Sequence, residues 1–233
     1  MSKAIVLYLH VHQPYRVRHY TIFDTGVDHG YFEAPYEDQT NNERIMHKVA
    51  EKSYLPTNAR LLKILHEHPE FKLSLSITGT VIDQMEAWAP EALNSFKELV
   101  KTGRVEIVGE TYHHSLAFFY SKEEFEKQVK MHEEKVQEVF GQKPKVLRNT
   151  ELAYNNDVAY WADKAGYKGI LAEGWDKVLG WRSPNFVYKP AYTENIKLLL
   201  KNYRLSDDIA FRFGDHTWPG WPLTADKFTT TSD

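Results

Sequence analysis

Short apolar runs alternate along this chain with longer segments whose apolar residues recur at helical spacing. Strands are predicted at residues 4–10, 71–77, 105–108, 145–151, 169–172 and 197–203. Helices are predicted at residues 42–54, 56–66, 78–101, 122–140 behind a capping Ser121, 157–164, and after a capping Ser206. Alternating strands and helices are typical of α/β proteins with a mostly parallel sheet, and this pattern constrains the fold class more than any other feature.

The number of strand–helix units bears on the architecture. Five or six such units fit in 233 residues, whereas a closed eight-unit barrel typically needs about 250 residues. The sequence ends in a polar stretch, residues 229–233, that follows no recognisable closing element. The count therefore falls short of a closed barrel, and we expect one domain over residues 1–233 that is cut short at its C-terminal end.

Composition excludes several classes of function. The net charge is −3, from 29 basic and 32 acidic residues, so the chain lacks the positive charge that binds nucleic acids or anionic membranes. No apolar run approaches the roughly 20 residues that span a bilayer, and we interpret the N-terminal run as a strand rather than a signal peptide. The absence of cysteine excludes thiol catalysis and fits a cytoplasmic protein. No phosphate-binding loop or dinucleotide fingerprint occurs, so no cofactor is expected.

Two polar clusters follow predicted strands, where parallel α/β folds place their active sites. His10 and His12 alternate along the first strand, so both side chains are predicted to project to the same side. Glu110 and His114 follow the strand at residues 105–108, in the segment GETYHHS. Imidazole pairs hold a metal ion or donate hydrogen bonds to a polar ligand. Each of these groups is also compatible with a purely structural role.

A third cluster, RNTELAYNN, spans residues 148–156. Glu151 ends an apolar run, and a carboxylate there is costly unless it is hydrogen-bonded or paired. By alternation Asn149 shares its side and is predicted to hold it in place, which suits a nucleophile or an acid/base. The alternative is a structural ion pair with Arg148. Beyond the next strand, Trp175 is a candidate stacking platform for a flat ligand.

The order of three motifs resembles glycoside hydrolase family 57, in particular its α-amylase-like branch. These motifs are HQP at residues 12–14, VEIVGETYHHSL at residues 105–116 and RNTELAYNN at residues 148–156. The later segments ILAEGWD, at residues 170–176, and LSDDIAFRF, at residues 205–213, fit the same branch. The resemblance runs nearly from end to end.

The resemblance implies an incomplete, TIM-barrel-like (β/α)7 barrel and a retaining mechanism on α-glucans or maltooligosaccharides, with no metal ion in the chemistry. By motif, Glu151 matches the catalytic nucleophile of the family, and His12 matches the histidine that lines its sugar cleft. The expected substrate-binding residues are His10, His12, Glu110, His114, Asn149 and Trp175.

One motif of the family has no counterpart in this sequence. The general acid/base implied by the resemblance is an Asp in a fourth motif resembling YDxETFGxH, and no such segment occurs in residues 1–233. Retaining hydrolysis needs two carboxyl groups roughly 5 to 5.5 Å apart, so Glu151 is expected to lack its proton donor here. We expect the chain to be an N-terminal portion of a longer enzyme, with little activity by itself.

Two other functions fit part of the sequence. A metal-dependent hydrolase, such as a carbohydrate deacetylase, would use the histidines of the first two clusters as ligands, but no known metal-binding motif matches them. A sugar-binding pseudoenzyme would keep the aromatic cleft without the acid/base. Hydrolysis and 4-α-glucanotransferase chemistry are not separated by these motifs, because both use the same nucleophile.

Overall fold

The computed structural model describes residues 4–34, 36 and 39–232. The chain divides into two compact units, Met1–Pro144 and Lys145–Asp233. Predictions for residues 1–3 of the N-terminal run and for residue 233 of the polar end lie outside the described residues. That residues 1–233 form one catalytic domain stays a prediction.

The first unit contains a parallel sheet of three strands in the order β1-β2-β3. The strands are β1 Tyr8–Val11, β2 Leu73–Ile77 and β3 Val105–Val108. In the central strand, Ser76 pairs in register with His10 on one side and Val108 on the other. The predicted first strand, residues 4–10, is shorter than expected because β2 begins at Leu73 and offers residues 4–6 no pairing partner.

In the described residues of the first unit, five α-helices accompany this sheet. They are α1 Asn42–Val49, α2 Leu55–Glu67, α3 Gly79–Trp88, α4 Pro90–Lys101 and α5 Lys122–Phe140. A π-helical segment, Ala50–Tyr54, joins α1 to α2, so the two helices predicted at residues 42–66 form one helical stretch. Single 3₁₀ turns lie at Ile22–Asp24 and Ala117–Phe119.

Local chemistry explains where these helices begin and end. The prediction of one helix over residues 78–101 was wrong, because the backbone leaves helical geometry at Ala89 (φ −143°, ψ 59°) and Pro90 starts a new helix. The predicted cap of α5 is confirmed, since Ser121 Oγ accepts a hydrogen bond from the Glu124 N–H at 3.2 Å. The same helix ends at Gly141, whose φ of +67° is the left-handed geometry that favours glycine.

The apolar core of the first unit lies between the sheet and its helices. Alternate residues of β2 are almost fully buried, and the large apolar side chains of α1 to α4 pack against them. The largest of these buried side chains are Met46, Leu65, Leu75, Ile77, Ile82, Met85, Leu99 and Ile107. This packing makes the ends of β1, β2 and β3 a rigid support for the segments that follow them.

The second unit contains a four-stranded sheet in the order β4-β5-β7-β6. The strands are β4 Val146–Arg148, β5 Gly169–Glu173, β6 Val187–Tyr188 and β7 Lys197–Lys201. The pairings of β4 with β5 and of β5 with β7 are parallel, whereas β6 is antiparallel to β7. The helices are α6 Asn156–Lys164, α7 Asp176–Leu179, α8 Tyr203–Asp207 and α9 Ala225–Ser232, with a π-helical segment at Asp208–Arg212.

Two predicted boundaries in this unit were wrong. The strand expected at residues 145–151 ends at Arg148, because a 3₁₀ turn, Thr150–Leu152, follows it directly. Ser206 does not cap the helix after β7. Asn202 does so by accepting a hydrogen bond from the Leu205 N–H at 3.1 Å, while Ser206 lies inside α8.

The α/β class with parallel sheets is confirmed in both units. Six of the strands in the described part of the chain have parallel pairing, as expected for β/α repeats. None of the helices in that same part is long and apolar enough to cross a membrane.

Candidate active site

Glu110 lies at the centre of a polar cluster at the C-terminal edge of the first sheet. Its side chain is completely buried, and Ser76 Oγ donates a hydrogen bond to Oε1. The other oxygen, Oε2, is 3.4 Å from His10 Nε2 and 3.6 Å from His114 Nδ1. We call His10, Glu110 and His114 the Glu110 cluster. The register of β1, β2 and β3 therefore brings together residues that are about 100 positions apart in the sequence.

The cluster contains an ionised carboxylate. Burial raises the pKa of Glu110, but hydrogen bonds from His10 and His114 outweigh burial and hold that pKa well below its usual range. Behind it, His132 on α5 is fully buried, and burial lowers its pKa. Its Nε2 donates to the Ile77 carbonyl at 2.8 Å, so the neutral ring presents Nδ1 as an acceptor 3.5 Å from the Glu110 backbone nitrogen.

His12 extends the cluster with a third imidazole. Its Nδ1 lies 2.8 Å from Thr78 Oγ1, and the same hydroxyl oxygen caps α3 by accepting from the Val81 N–H at 3.3 Å. The His12 ring packs against His114, with centroids 4.3 Å apart, and lies nearly parallel to His10 at 5.9 Å. His10 and His12 are thus side by side, as strand alternation predicts.

The segment that carries His114 has a strained backbone. His114 has a φ of +55°, a left-handed conformation that is uncommon for a residue other than glycine. Hydrogen bonds fix the residues around it. Thr111 Oγ1 accepts from the Ser115 N–H at 2.8 Å, and the Tyr112 hydroxyl donates to Asp83. Strain held in this way is common at functional sites.

Glu151 lies in the second unit, in the turn that follows β4. Its φ is +56° and that of Leu152 is +55°, and the Glu151 side chain is exposed. The prediction that alternation puts Asn149 and Glu151 on one side was wrong, because the strand stops before both residues. The structure instead presents the carboxylate at the C-terminal end of β4, where α/β folds place reactive groups.

Asn149 supports this turn rather than facing solvent. Its side chain is buried, and Nδ2 donates to the Ala153 carbonyl at 3.0 Å, across the turn that contains Glu151. Trp175 is 56% exposed and immediately precedes α7. Lys177 Nζ lies 5.9 Å from the centroid of its indole ring, a cation–π distance. The ring is accessible to a ligand.

The sequence analysis missed three residues that organise the Glu110 cluster, namely Ser76, Thr78 and His132. Only His132 had a usable signal. It falls on the apolar face of α5 with Phe125, Val129 and Val136, at helical spacing, and a lone histidine on such a face has a specific hydrogen-bonding role. Ser76 and Thr78 lie in and after an ordinary strand pattern.

Comparison with known proteins is consistent with the motifs. A sequence profile of glycosyl hydrolase family 57 matches residues 6–232. A protein of Methanocaldococcus jannaschii that is named as a candidate alpha-amylase is 45% identical over 219 residues. The matched region covers 94% of this chain and 45% of that protein.

Solved structures share the fold. The 4-alpha-glucanotransferase of Thermococcus litoralis matches with a TM-score of 0.64 and 20% identity, over 89% of this chain and 29% of that one. An alpha-amylase of Thermotoga maritima matches with a TM-score of 0.62 and 17% identity, over 90% of this chain and 47% of that one. These likenesses confirm the expected α/β, barrel-like fold class.

The chain spans less than half the length of each of these three proteins. The profile match nevertheless includes all three motifs on which the resemblance was based, from HQP to RNTELAYNN. The chain belongs to glycosyl hydrolase family 57.

Proposed function

We propose that this chain supplies the nucleophile and part of the sugar cleft of a retaining glycoside hydrolase that acts on α-glucans. Two of the similar proteins are named for such substrates, an alpha-amylase and a 4-alpha-glucanotransferase. The observation that carries the proposal is the position of Glu151, an exposed carboxylate in a left-handed turn directly after β4.

Glu151 is proposed as the nucleophile. In a retaining mechanism its carboxylate oxygen attacks the anomeric carbon, the bond to the leaving oxygen breaks, and a glycosyl ester forms on the enzyme. A nucleophile must be accessible and held in one orientation. The turn is held by the Asn149 side chain, which donates to the Ala153 carbonyl, and by the Leu152 N–H, which donates to the Asn149 carbonyl at 3.0 Å.

The substrate-binding roles follow from the chemistry of each group. His10, His12 and His114 offer ring nitrogens to sugar hydroxyl groups, and an ionised Glu110 can only accept hydrogen bonds from them. Trp175 offers an exposed apolar face for a pyranose ring. A polyhydroxylated substrate requires hydrogen-bond donors, hydrogen-bond acceptors and an apolar surface for its rings, and these residues provide all three kinds of group.

We further propose that the acid/base is not among residues 1–233. No segment matches the fourth motif, and two of the acidic residues near the C-terminal end have other partners. Asp208 is buried and its Oδ1 lies 2.7 Å from Arg212 Nη1, while Asp215 Oδ1 accepts from the Thr217 hydroxyl at 2.7 Å. Without a proton donor, glycosidic oxygens leave slowly, since general acid catalysis contributes typically 10²- to 10⁴-fold.

The nucleophile can be tested separately from the acid/base with a substrate whose leaving group needs no proton. In 5-fluoro-α-glucosyl fluoride the anomeric C–F bond breaks as the carboxylate attacks, fluoride leaves as an anion, and the ring fluorine slows hydrolysis of the ester. Intact-protein mass spectrometry should show one added glycosyl group, and peptide mapping should place it on Glu151.

Glu151→Gln should form no adduct, because its side chain lacks the nucleophilic oxygen. Glu194→Gln is the matched control. Glu194 is an exposed carboxylate in the same unit, 3.6 Å from Lys164 Nζ, and the control should react like the unmodified chain. Labelling at another residue would disprove the role of Glu151. A folded chain that binds maltooligosaccharides but forms no adduct would be a sugar-binding pseudoenzyme instead.

A further inference from the structure

The ligand atoms of the Glu110 cluster converge on one point. His10 Nε2, Glu110 Oε2 and His114 Nδ1 all lie within 4.8 Å of one another. Two of these separations are 3.4 Å and 3.6 Å. Among the described residues this is the one group of three such side chains close enough to share an ion.

These separations suit tetrahedral coordination. Bonds from Zn²⁺ to histidine nitrogen and carboxylate oxygen are about 2.0 to 2.2 Å. The corners of a regular tetrahedron are about 1.6 times further apart than that, so neighbouring ligand atoms lie about 3.3 to 3.6 Å from each other. The two separations from Glu110 Oε2 fall in or next to that range, and the two histidine nitrogens lie within 4.8 Å of each other.

The burial, hydrogen bonding and accessibility of the Glu110 cluster all favour the binding of a cation. Glu110 is completely buried, and a buried carboxyl group is costly unless hydrogen bonds or a cation compensate for the lost water. The Ser76 hydroxyl holds Oε1, which directs Oε2 towards the two histidines, an outer hydrogen bond of the kind that orients metal ligands. The cluster also remains accessible, because the side chains of His10 and His114 are 25% and 14% exposed.

We propose that His10, Glu110 and His114 bind one divalent transition-metal ion of the class of Zn²⁺ and Co²⁺. Two imidazoles and one carboxylate form a ligand set that such ions accept. With the ion bound, a sugar hydroxyl group or water would occupy its fourth position instead of contacting the coordinating atoms of His10, Glu110 and His114 directly. The sequence led us to expect no metal, because no spacing motif marks these residues. Its ligands come from β1 and from the segment after β3, so the spacing of residues within either segment does not predict the site.

The test is a metal titration of the full chain in the absence of sugar, so its outcome does not depend on the proposed glycosidase function. The chain is first freed of metal with a chelator and then titrated with Co²⁺, whose tetrahedral complexes absorb visible light. We expect one equivalent of Co²⁺ to produce the band and Zn²⁺ to abolish it by displacement, with a matching 1:1 heat in calorimetry.

Glu110→Gln and His114→Gln should each weaken binding by on the order of 100-fold or more, because loss of an outer partner alone typically costs 10- to 100-fold. His114→Gln is included because the His114 side chain is partly exposed, whereas that of Glu110 is completely buried, so the replacement of His114 disturbs the core less. His113→Gln is the matched control. His113 is the adjacent histidine, but it is not a member of the cluster, and its Nδ1 lies 3.1 Å from Thr80 Oγ1. The His113→Gln chain should bind metal as tightly as the unmodified chain.

Circular dichroism and thermal unfolding show whether each variant is folded. The proposal is overturned if the folded, unmodified chain binds no Co²⁺ or Zn²⁺ at millimolar concentration. It is equally overturned if His114→Gln binds metal as tightly as His113→Gln.

Discussion

The hydroxyl group of Tyr112 lies 2.8 Å from both carboxylate oxygens of Asp83 on α3. Asp83 Oδ1 is in turn 3.3 Å from Lys135 Nζ on α5. Tyr112 is two residues from Glu110 and two from His114. The Tyr112 hydroxyl therefore links the segment that carries Glu110 and His114 to α3 and, through Asp83, to α5.

Replacing Tyr112 by phenylalanine should destabilise the chain by about 1.5 to 3 kcal/mol, the usual contribution of a hydrogen bond to a charged group. The change removes only the hydroxyl and leaves the buried ring in place. Urea unfolding followed by circular dichroism measures the loss. Tyr120→Phe removes the same atom from a side chain that is 88% exposed, and it should leave the midpoint unchanged. Equal midpoints for the two variants would show that the Tyr112–Asp83 bond is not stabilising.

Gly79→Ala should also be destabilising, by about 1 to 3 kcal/mol, because the added methyl group overlaps the Tyr112 ring. That ring is held by its hydrogen bond and cannot move aside freely. Gly214→Ala is the control, since a Cβ there meets no atom within 4 Å. In thermal unfolding, Gly79→Ala should have a clearly lower Tm than Gly214→Ala. A Gly79→Ala chain as stable as Gly214→Ala would contradict the close packing of Tyr112 on α3.

Asp163 should make stability depend on pH in acid. Its carboxylate accepts hydrogen bonds from three consecutive backbone N–H groups, those of Glu194, Asn195 and Ile196. These bonds, with that from Glu194 the strongest, hold the pKa of Asp163 below its ordinary value. A lowered folded-state pKa stabilises the chain above the unfolded value of about 4, and the contribution is lost as the pH falls through the folded value.

Asp163→Asn should therefore be less stable than the unmodified chain at pH 7, and the difference should narrow below about pH 4. Urea midpoints measured between pH 3 and pH 7 test this. Glu138→Gln, which removes an exposed carboxylate from α5, serves as the control. If the difference in urea midpoint between Asp163→Asn and the unmodified chain is the same at every pH, the Asp163 carboxylate is not the source of the difference.

Cleavage by this chain should depend steeply on the leaving group. Because we propose that the acid/base is not among residues 1–233, we expect aryl α-maltosides to react faster as the phenol becomes more acidic, and maltooligosaccharides to react slowest. A plot of log kcat/KM against the pKa of the phenol measures the slope. Glu151→Gln should be inactive on every substrate. A flat plot for the unmodified chain would mean that an acid/base lies within residues 1–233.

Helices and strands were predictable where one face is buried, because apolar residues then recur at a regular spacing along the sequence. The alternation in residues 71–77 predicts β2, and Leu73, Leu75 and Ile77 are indeed buried in the core. The cap of α5 was predictable for a similar reason, because Ser121 satisfies a free N–H at a position that sequence spacing marks.

The candidate site was only partly predictable. Positions 151 and 152 adopt left-handed geometry without a glycine or asparagine, so nothing local marked the turn, and extending the strand to Glu151 was wrong. The break before Pro90 had a local signal in the proline itself, which the prediction of one helix over residues 78–101 did not use. The contact of Ser76 with Glu110 depends on the lateral order of strands, which is a property of the folded sheet rather than of either segment.

The left-handed backbone at His114 and Glu151 lowers the stability of the chain at two positions to which we assign a function. This conformation costs an L-residue roughly 1 to 2 kcal/mol, and glycine or asparagine would adopt it with less strain. A screen for thermostable variants should therefore select replacements at both positions, and each would delete an imidazole or a carboxylate to which we assign a role in the proposed function. Engineering for heat resistance should hold these two residues constant and seek its gains elsewhere in the chain.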